Sequence, residues 1–254
     1  MLQVKRESQI TFLYSEALAR IPGIIHAFST RRSERNDFAL GAGLAMNPLV
    51  QMNRIRFVAA AGAVGWPVLK LKQVHSGIVR VMEDTSAAGE AVEGDAAITS
   101  LSGVLLSVQT ADCVPILLAD SHARAIAAVH AGWRGTAAHI VETTVAELGR
   151  HYPIKPQDIV AAIGPHIGVC CYEIGEEVVD AIRDTAAIER RPEWPKPHLN
   201  LGEANRRQLL RAGIPEKQIE SSSLCTRCRE DLFFSYRRDG ARTGHMLSVI
   251  GLAP

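Results

Sequence analysis

The sequence predicts an α+β fold in which mixed β-sheets carry helices on their outer faces. Three observations point there. Apolar runs of strand length, 103–108 and 114–119, lie close together. Their connections are too short for helical crossovers, so much of the sheet is expected to be antiparallel. Amphipathic stretches of helix length alternate with later strand-like runs. Finally, 254 residues at 47% hydrophobic and 5% aromatic give a large core of Ala, Val, Ile and Leu. No Ser/Gly linker or charge block divides the chain, so one domain is expected over 1–254, with 1–24 as an N-terminal extension or edge segment.

The elements follow in order. A helix is expected over 49–63, where Leu49, Met52, Ile55 and Ala59 recur at helical spacing and Pro48 suits the first turn. Strands are expected over 67–74 and 78–82, broken at His75-Ser76-Gly77, and then over 103–109, 114–120 and 125–130. A helix over 136–148 presents Ile140, Val141, Thr144, Val145 and Leu148 on one face, with Gly149 as its cap. A strand over 158–163 ends at Gly164-Pro165, and a helix over 176–187 turns Val178, Val179 and Ile182 inward. Residues 191–198 carry three prolines and read as a loop. A helix over 201–212 and strands near 219–224 and 245–252 complete the chain.

Composition excludes several function classes. A net charge of +1 argues against a nucleic-acid-binding domain. Residues 1–20 lack the apolar core of a signal peptide, and no apolar run approaches the about 20 residues of a membrane helix. The expected location is cytoplasmic, off the membrane. Five cysteines in a long, core-rich chain suit reduced thiols, metal ligands or a nucleophile better than a disulfide framework.

Polar residues at strand ends carry the candidate chemistry. His75 closes one strand, Cys113 lies between two, and His130 closes another. Neighbouring strands are about 4.8 Å apart, so residues at one sheet edge can converge. Two imidazoles and a thiolate make a three-ligand zinc site with an open fourth position, the catalytic pattern. Their spacings match no short zinc motif. A metal-free Cys–His nucleophile pair and plain structural positions fit the same residues.

Further signals surround them. In His130-Ala-Gly132-Trp-Arg134-Gly135 a strand gives way to a helix, and Gly132 and Arg134 form a candidate phosphate or carboxylate cradle. A plain turn with a surface arginine is the alternative. Residues 164–173 read as a pocket wall, with Glu173 or His166 polar toward substrate and Cys170 and Cys171 as buried structural thiols. Cys225-Thr-Arg-Cys228 lacks a second CxxC and reads as structural. Phe233-Phe-Ser-Tyr-Arg-Arg238 fits either base stacking or a two-faced strand.

Taken together, several strings in order carry a resemblance: Lys72-Gln-Val-His75-Ser, Gly94-Asp-Ala, Thr110-Ala-Asp-Cys113-Val-Pro, Ala128-Val-His130-Ala-Gly-Trp-Arg-Gly135, Ile163-Gly-Pro with Cys170-Cys-Tyr-Glu173, and Phe233-Phe-Ser-Tyr-Arg237. Over roughly 25–252 the chain closely resembles the YfiH-like family, also called the laccase-domain or polyphenol oxidase family. The resemblance implies a single four-layer α/β/β/α domain and a zinc site at His75, Cys113 and His130. It implies phosphorolysis of adenosine, inosine, guanosine and methylthioadenosine, with adenosine deamination. Members are also described as a peptidoglycan-editing amidase on UDP-muramoyl-L-serine, and in an older reading as copper polyphenol oxidases. Nine histidines with no His-x-His pair disfavour copper oxidation. A non-catalytic binding module is the remaining alternative, in which an open metal position has no use.

Small-molecule nucleoside and phosphate are thus the expected partners, for a monomer or small homo-oligomer. Asp112 is expected to orient a metal ligand. Phe28-Ser-Thr-Arg31 keeps the family's cation at Arg31, but Arg32-Ser33-Glu34-Arg35 replaces its Gly-Gly pair and Ala39-Leu40-Gly41 lacks its Asn.

Overall fold

Two six-stranded sheets lie face to face, each with helices on its outer side. The computed structural model describes residues 1–33, 38–40, 47–85, 92–185 and 187–254. The chain runs β1 (Gln3–Glu7), β2 (Ile10–Tyr14), α1 (Glu16–Ala19), β3 (Ile24–Ser29), α2 (Pro48–Ala60), β4 (Val68–Leu69), β5 (Leu71–Lys72) and β6 (Val79–Val81). It continues through β7 (Val92–Glu93), β8 (Ala96–Thr99), β9 (Leu105–Thr110), β10 (Val114–Asp120), β11 (Ile126–Ala131), α3 (Trp133–Ala137), α4 (Ile140–His151) and β12 (Ile159–Ile163). It ends with α5 (Glu176–Ala181), β13 (Ile188–Glu189), β14 (His198–Leu199), α6 (Leu201–Arg211), β15 (Ile219–Ser221), α7 (Tyr236–Asp239) and β16 (Met246–Leu252).

The first sheet has the order β1-β2-β3-β16-β9-β4 and the second β15-β12-β10-β11-β8-β6. Both are mixed: β4–β9, β12–β15 and β6–β8 pair in parallel, and the other neighbours are antiparallel. Alternation along β10 explains the layering. Ile116 and Leu118 join a core with Val141 and Leu148 of α4, while Leu117 and Ala119 face Phe28, Leu106 and Ile250 of the first sheet. A third core sets Phe57 and Val58 of α2 against Phe12, Leu247 and Val249. The result is α/β/β/α, in which strands buried on both faces read as continuous apolar runs.

Several expectations are corrected. The run 103–109 does not join the sheet of its two successors: β9 belongs to the first sheet, β10 and β11 to the second. The chain changes sheets at Ala111–Cys113, where Asp112 has φ +92°. The face of α2 read from Leu49, Met52 and Ile55 is outward; these side chains are 60%, 54% and 64% exposed. Val50, Arg54, Phe57 and Val58 are buried instead, and the Arg54 side chain donates to the Leu40 carbonyl at 2.7 Å. The helix over 136–148 is two helices, α3 and α4, broken where His139 adopts φ +54°. Gly149 lies inside α4, and the cap is Tyr152. Residues 3–14 form an edge hairpin through a turn with positive φ at Ser8 and Gln9. Glu34, Arg35 and Gly41, part of the altered N-terminal strings, lie outside the described residues.

Candidate metal centre and cavity

The sheet change brings His75, Cys113 and His130 together. Val114 pairs with Ala131 and Pro115 with His130, so the residue before β10 meets the end of β11. His75 arrives from the loop after β5 with φ +59°. One potential ligand atom from each of the three lies within 4.8 Å of the others. Cys113 Sγ is 3.9 Å from His75 Nε2, and the imidazole centroids are 4.8 Å apart at 83°.

Asp95, just before β8, organises the group. Its fully buried carboxylate meets His130 Nδ1 at 2.8 Å, turning Nε2 of that ring to the centre. It also accepts the His75 N–H at 3.0 Å, the Ser76 N–H at 2.6 Å and the Ser76 hydroxyl at 2.7 Å. One carboxylate therefore fixes a tautomer and the backbone of a second ligand. Burial opposes its charge, but bonds from His130 and Ser76 hold Asp95 well below the usual carboxylate range.

Burial also opposes charge on Cys113 and His130, and their mutual attraction outweighs it. With further help from His75, the Cys113 thiol goes down to about 6. With further help from Asp95, His130 goes up to about 9. Metal-free, Cys113 and His130 thus form a thiolate–imidazolium pair; a metal ion would displace the His130 proton and meet one thiolate and two imidazoles, a donor set that fits a single ion. Gly132 gives it room: a Cβ there would lie 3.0 Å from His75 Cδ2 and 3.1 Å from Cys113 Sγ.

The three residues line a cavity of about 620 Å³. Leu71, Ile167, Tyr172, Leu201 and Tyr236 give it apolar walls, and Gln73, Thr110, Arg237 and His245 give it polar groups. The Gln73 side chain is locked to the Gln109 backbone by two bonds, 2.7 and 2.8 Å. Among the described residues, Thr110 Oγ1 and His245 Nδ1 are buried without a partner. Burial and the His130 charge lower the pKa of His245.

The other expected site residues do not take the parts expected of them. Arg134 is exposed, its guanidinium 4.1 Å above its neighbour Trp133, and it does not line the cavity. The five-residue α3 makes a poor anion cradle, and Gly132 serves close approach. Arg31 stacks on Phe234 at 4.7 Å and lines a separate depression with Asn53 and Asp239. Glu173 pairs with Lys196 at 3.1 Å; only its carbonyl serves the wall, accepting from Arg237 at 2.9 Å. His166 is buried, with Nδ1 at 2.8 Å from the Gly164 carbonyl. Asp112 holds the wall loop, accepting from Thr226 Oγ1 at 2.6 Å, Ser235 Oγ at 3.0 Å and the Arg237 N–H at 2.6 Å, so Asp95 takes the orienting part expected of it. Phe233 and Phe234 are core residues and Tyr236–Asp239 is a short helix, so this string is not a strand; its Tyr236 and Arg237 line the cavity.

Asp95, Arg237, Thr110 and His245 were missed as site residues. Asp95, Arg237 and Thr110 sit inside the quoted strings, and an acidic residue just ahead of a buried strand was the available signal for Asp95. The convergence of Thr110 and His245 depends on a sheet packing that the sequence does not display.

The family model for multi-copper polyphenol oxidoreductase laccase matches residues 28–253. A purine nucleoside phosphorylase of Bacteroides thetaiotaomicron is 45% identical over 161 residues, 61% of this chain, and the match spans 60% of that relative's length. Adenosine deaminase RL5, from an unknown prokaryotic organism, is 36% identical over 245 residues, covering 89% of this chain and 93% of that protein. The crystal structure of YlmD from Geobacillus stearothermophilus superposes with a TM-score of 0.87 at 34% identity, covering 99% of both chains. The chain belongs to the laccase-domain family, whose structurally known members include YlmD and YfiH.

Proposed function

We propose that this protein is a zinc-dependent purine nucleoside enzyme that carries out phosphorolysis of adenosine, inosine, guanosine and methylthioadenosine and deamination of adenosine. The observation that carries the reading is the convergence of one thiolate and two imidazoles in a cavity of about 620 Å³, a volume suited to a nucleoside. Relatives named purine nucleoside phosphorylase and adenosine deaminase give the substrate class. A near-neutral chain of net charge +1 suits small-molecule substrates.

Two imidazoles and a thiolate also occur in copper electron-transfer sites, whereas a multicopper centre needs many histidines. No group of metal-competent residues among those described contains more than two histidines. Zinc therefore fits the donor set better than a multicopper centre. Held by His75, Cys113 and His130, it supplies Lewis-acid activation of water near neutral pH.

The chain's own residues supply the rest. Tyr172, Ile167 and Leu201 offer apolar contact to the purine, and Thr110 and His245 line the same cavity. Arg237 is the cation for phosphate, in the place foreseen for Arg134; Lys72, also at the cavity, is paired with Glu93 at 2.9 Å. Phosphorolysis breaks the bond from ribose C1 to the purine and joins C1 to a phosphate oxygen. Deamination adds water oxygen at adenine C6 and releases ammonia.

The test is product analysis of zinc-loaded protein with adenosine, with and without phosphate. Adenine and ribose 1-phosphate that require phosphate, together with inosine that does not, are expected. Absence of both products from a zinc-replete protein overturns the reading. Free L-serine from UDP-muramoyl-L-serine in that same protein would replace it with the amidase.

A further inference from the structure

Four of the five cysteines stand outside the site described above, and the fold gathers them. Cys170 and Cys171 lie in the loop after β12, Cys225 and Cys228 in the loop after β15. Their Sγ atoms all lie within 4.8 Å of one another. Cys171 and Cys228 are 3.3 Å apart, Cys170 and Cys228 3.7 Å, and all four are free thiols. The adjacent pair supplies what the lone CxxC lacked, 54 to 58 residues away in sequence.

We propose that these four cysteines form a second, structural metal site that takes zinc as a tetrahedral tetrathiolate. Zinc–sulfur bonds of about 2.3 Å place tetrahedral sulfurs about 3.8 Å apart, so the gathered thiols need little movement to close on an ion. Four thiolates select a soft, tetrahedral ion, and four protein ligands leave no open position. This separates the site from the three-ligand centre in the cavity.

The surroundings are those of a thiolate cluster. The Gly168 N–H donates to Cys225 Sγ at 3.1 Å, and Arg227 Nη1 lies 3.5 Å from Cys171 Sγ. Both donors offset negative charge that four thiolates bring to one ion. Gly168 is also required sterically: a Cβ there would lie 3.1 Å from Cys225 Cβ and 3.2 Å from Cys170 Sγ. Cys170 and Cys228 are exposed, so the ion can enter from solvent.

The site would staple the cavity wall. Cys171 precedes Tyr172, and Cys225 precedes Thr226, whose N–H donates to the His166 carbonyl at 2.9 Å and whose hydroxyl bonds Asp112. An ion on all four sulfurs therefore joins the loop that carries Tyr172 to the loop that leads to Arg237. This holds whether or not the cavity proves to act on nucleosides.

The experiment is metal counting on intact protein by mass spectrometry, with cobalt substitution as a second readout. Wild type is expected to bind two zinc ions per chain, His75→Ala one and Cys228→Ser one. The cobalt-loaded His75→Ala protein should show intense thiolate-to-cobalt charge transfer, and its four clustered thiols, unlike Cys113, should react with a thiol reagent only after a chelator is added. Should Cys228→Ser fold poorly, Cys170→Ser, also at an exposed position, replaces it. Wild type with a single zinc that His75→Ala removes overturns the proposal. So does a wild-type metal count in both cysteine variants, and so does a Cys170, Cys171 or Cys228 disulfide in zinc-replete protein.

Discussion

His130 shows how much one side chain depends on its second neighbour. Its ring reaches Cys113 only because Asp95 holds the opposite nitrogen, and the same carboxylate holds the His75 backbone. Alanine at His75, Cys113 or His130 is expected to abolish metal binding at the cavity with the fold retained, as read by metal analysis and circular dichroism. Asp95→Asn keeps the shape but weakens the acceptor. It should lower metal affinity by about 10- to 100-fold, measured by chelator competition; unchanged affinity would show that the carboxylate is merely structural. Thr110 tests the cavity wall. Its buried hydroxyl has no partner among the described residues, so Thr110→Val should leave the melting temperature unchanged or raised.

At the level of elements, α2 separates spacing from burial. Its sequence holds two interleaved apolar sets, and only packing against the first sheet selects Val50, Phe57 and Val58 over Leu49, Met52 and Ile55. Phe57→Ala should therefore destabilise by about 3–5 kcal/mol, and Ile55→Lys by no more than about 0.5 kcal/mol, in urea titrations. Equal losses would mean that both faces are covered. The strand runs β10, β11 and β16 were legible because both of their faces are buried and nearly every position is apolar or small, Asp120 and His130 excepted. That same property hid the sheet change at Ala111–Cys113, since a run buried on both sides does not say which sheet it joins. The β1–β2 hairpin went unread because β1 is wholly exposed and its turn uses Ser8-Gln9 in place of the glycine that positive φ favours. The convergence of His75, Cys113 and His130 was legible as three odd polar residues at strand ends. The cysteine cluster was not, because its two halves meet only through the parallel pairing of β12 with β15 and the bridge from His166 to Cys225.

Across the whole molecule, the chain buries titratable groups in the form they hold at neutral pH, and its stability should record this. His26 of β3 accepts the Ser15 N–H at 2.8 Å, and burial, opposed only in part by that bond, lowers its pKa from 6.5 to about 4. His166 is lowered by burial as well. His26 is neutral in the folded chain at pH 5 but protonated in the unfolded chain. Between the two pKa values the unfolded state therefore binds more protons, and stability falls as pH falls. For His26 the contribution is complete above about pH 6.5 and gone below about pH 4. Between pH 7 and pH 5 it amounts to about 2 kcal/mol. Asp120 shifts the same way at lower pH: burial opposes its charge, but bonds from Arg124 hold its carboxyl below the usual range. Urea midpoints measured at pH 7 and pH 5 should differ strongly for wild type. They should differ less for His26→Gln, whose amide oxygen can still accept from Ser15 but takes up no proton. An equal drop in both proteins would mean that His26 is protonated in the folded chain, and that the acid sensitivity resides in His166 and the carboxylates.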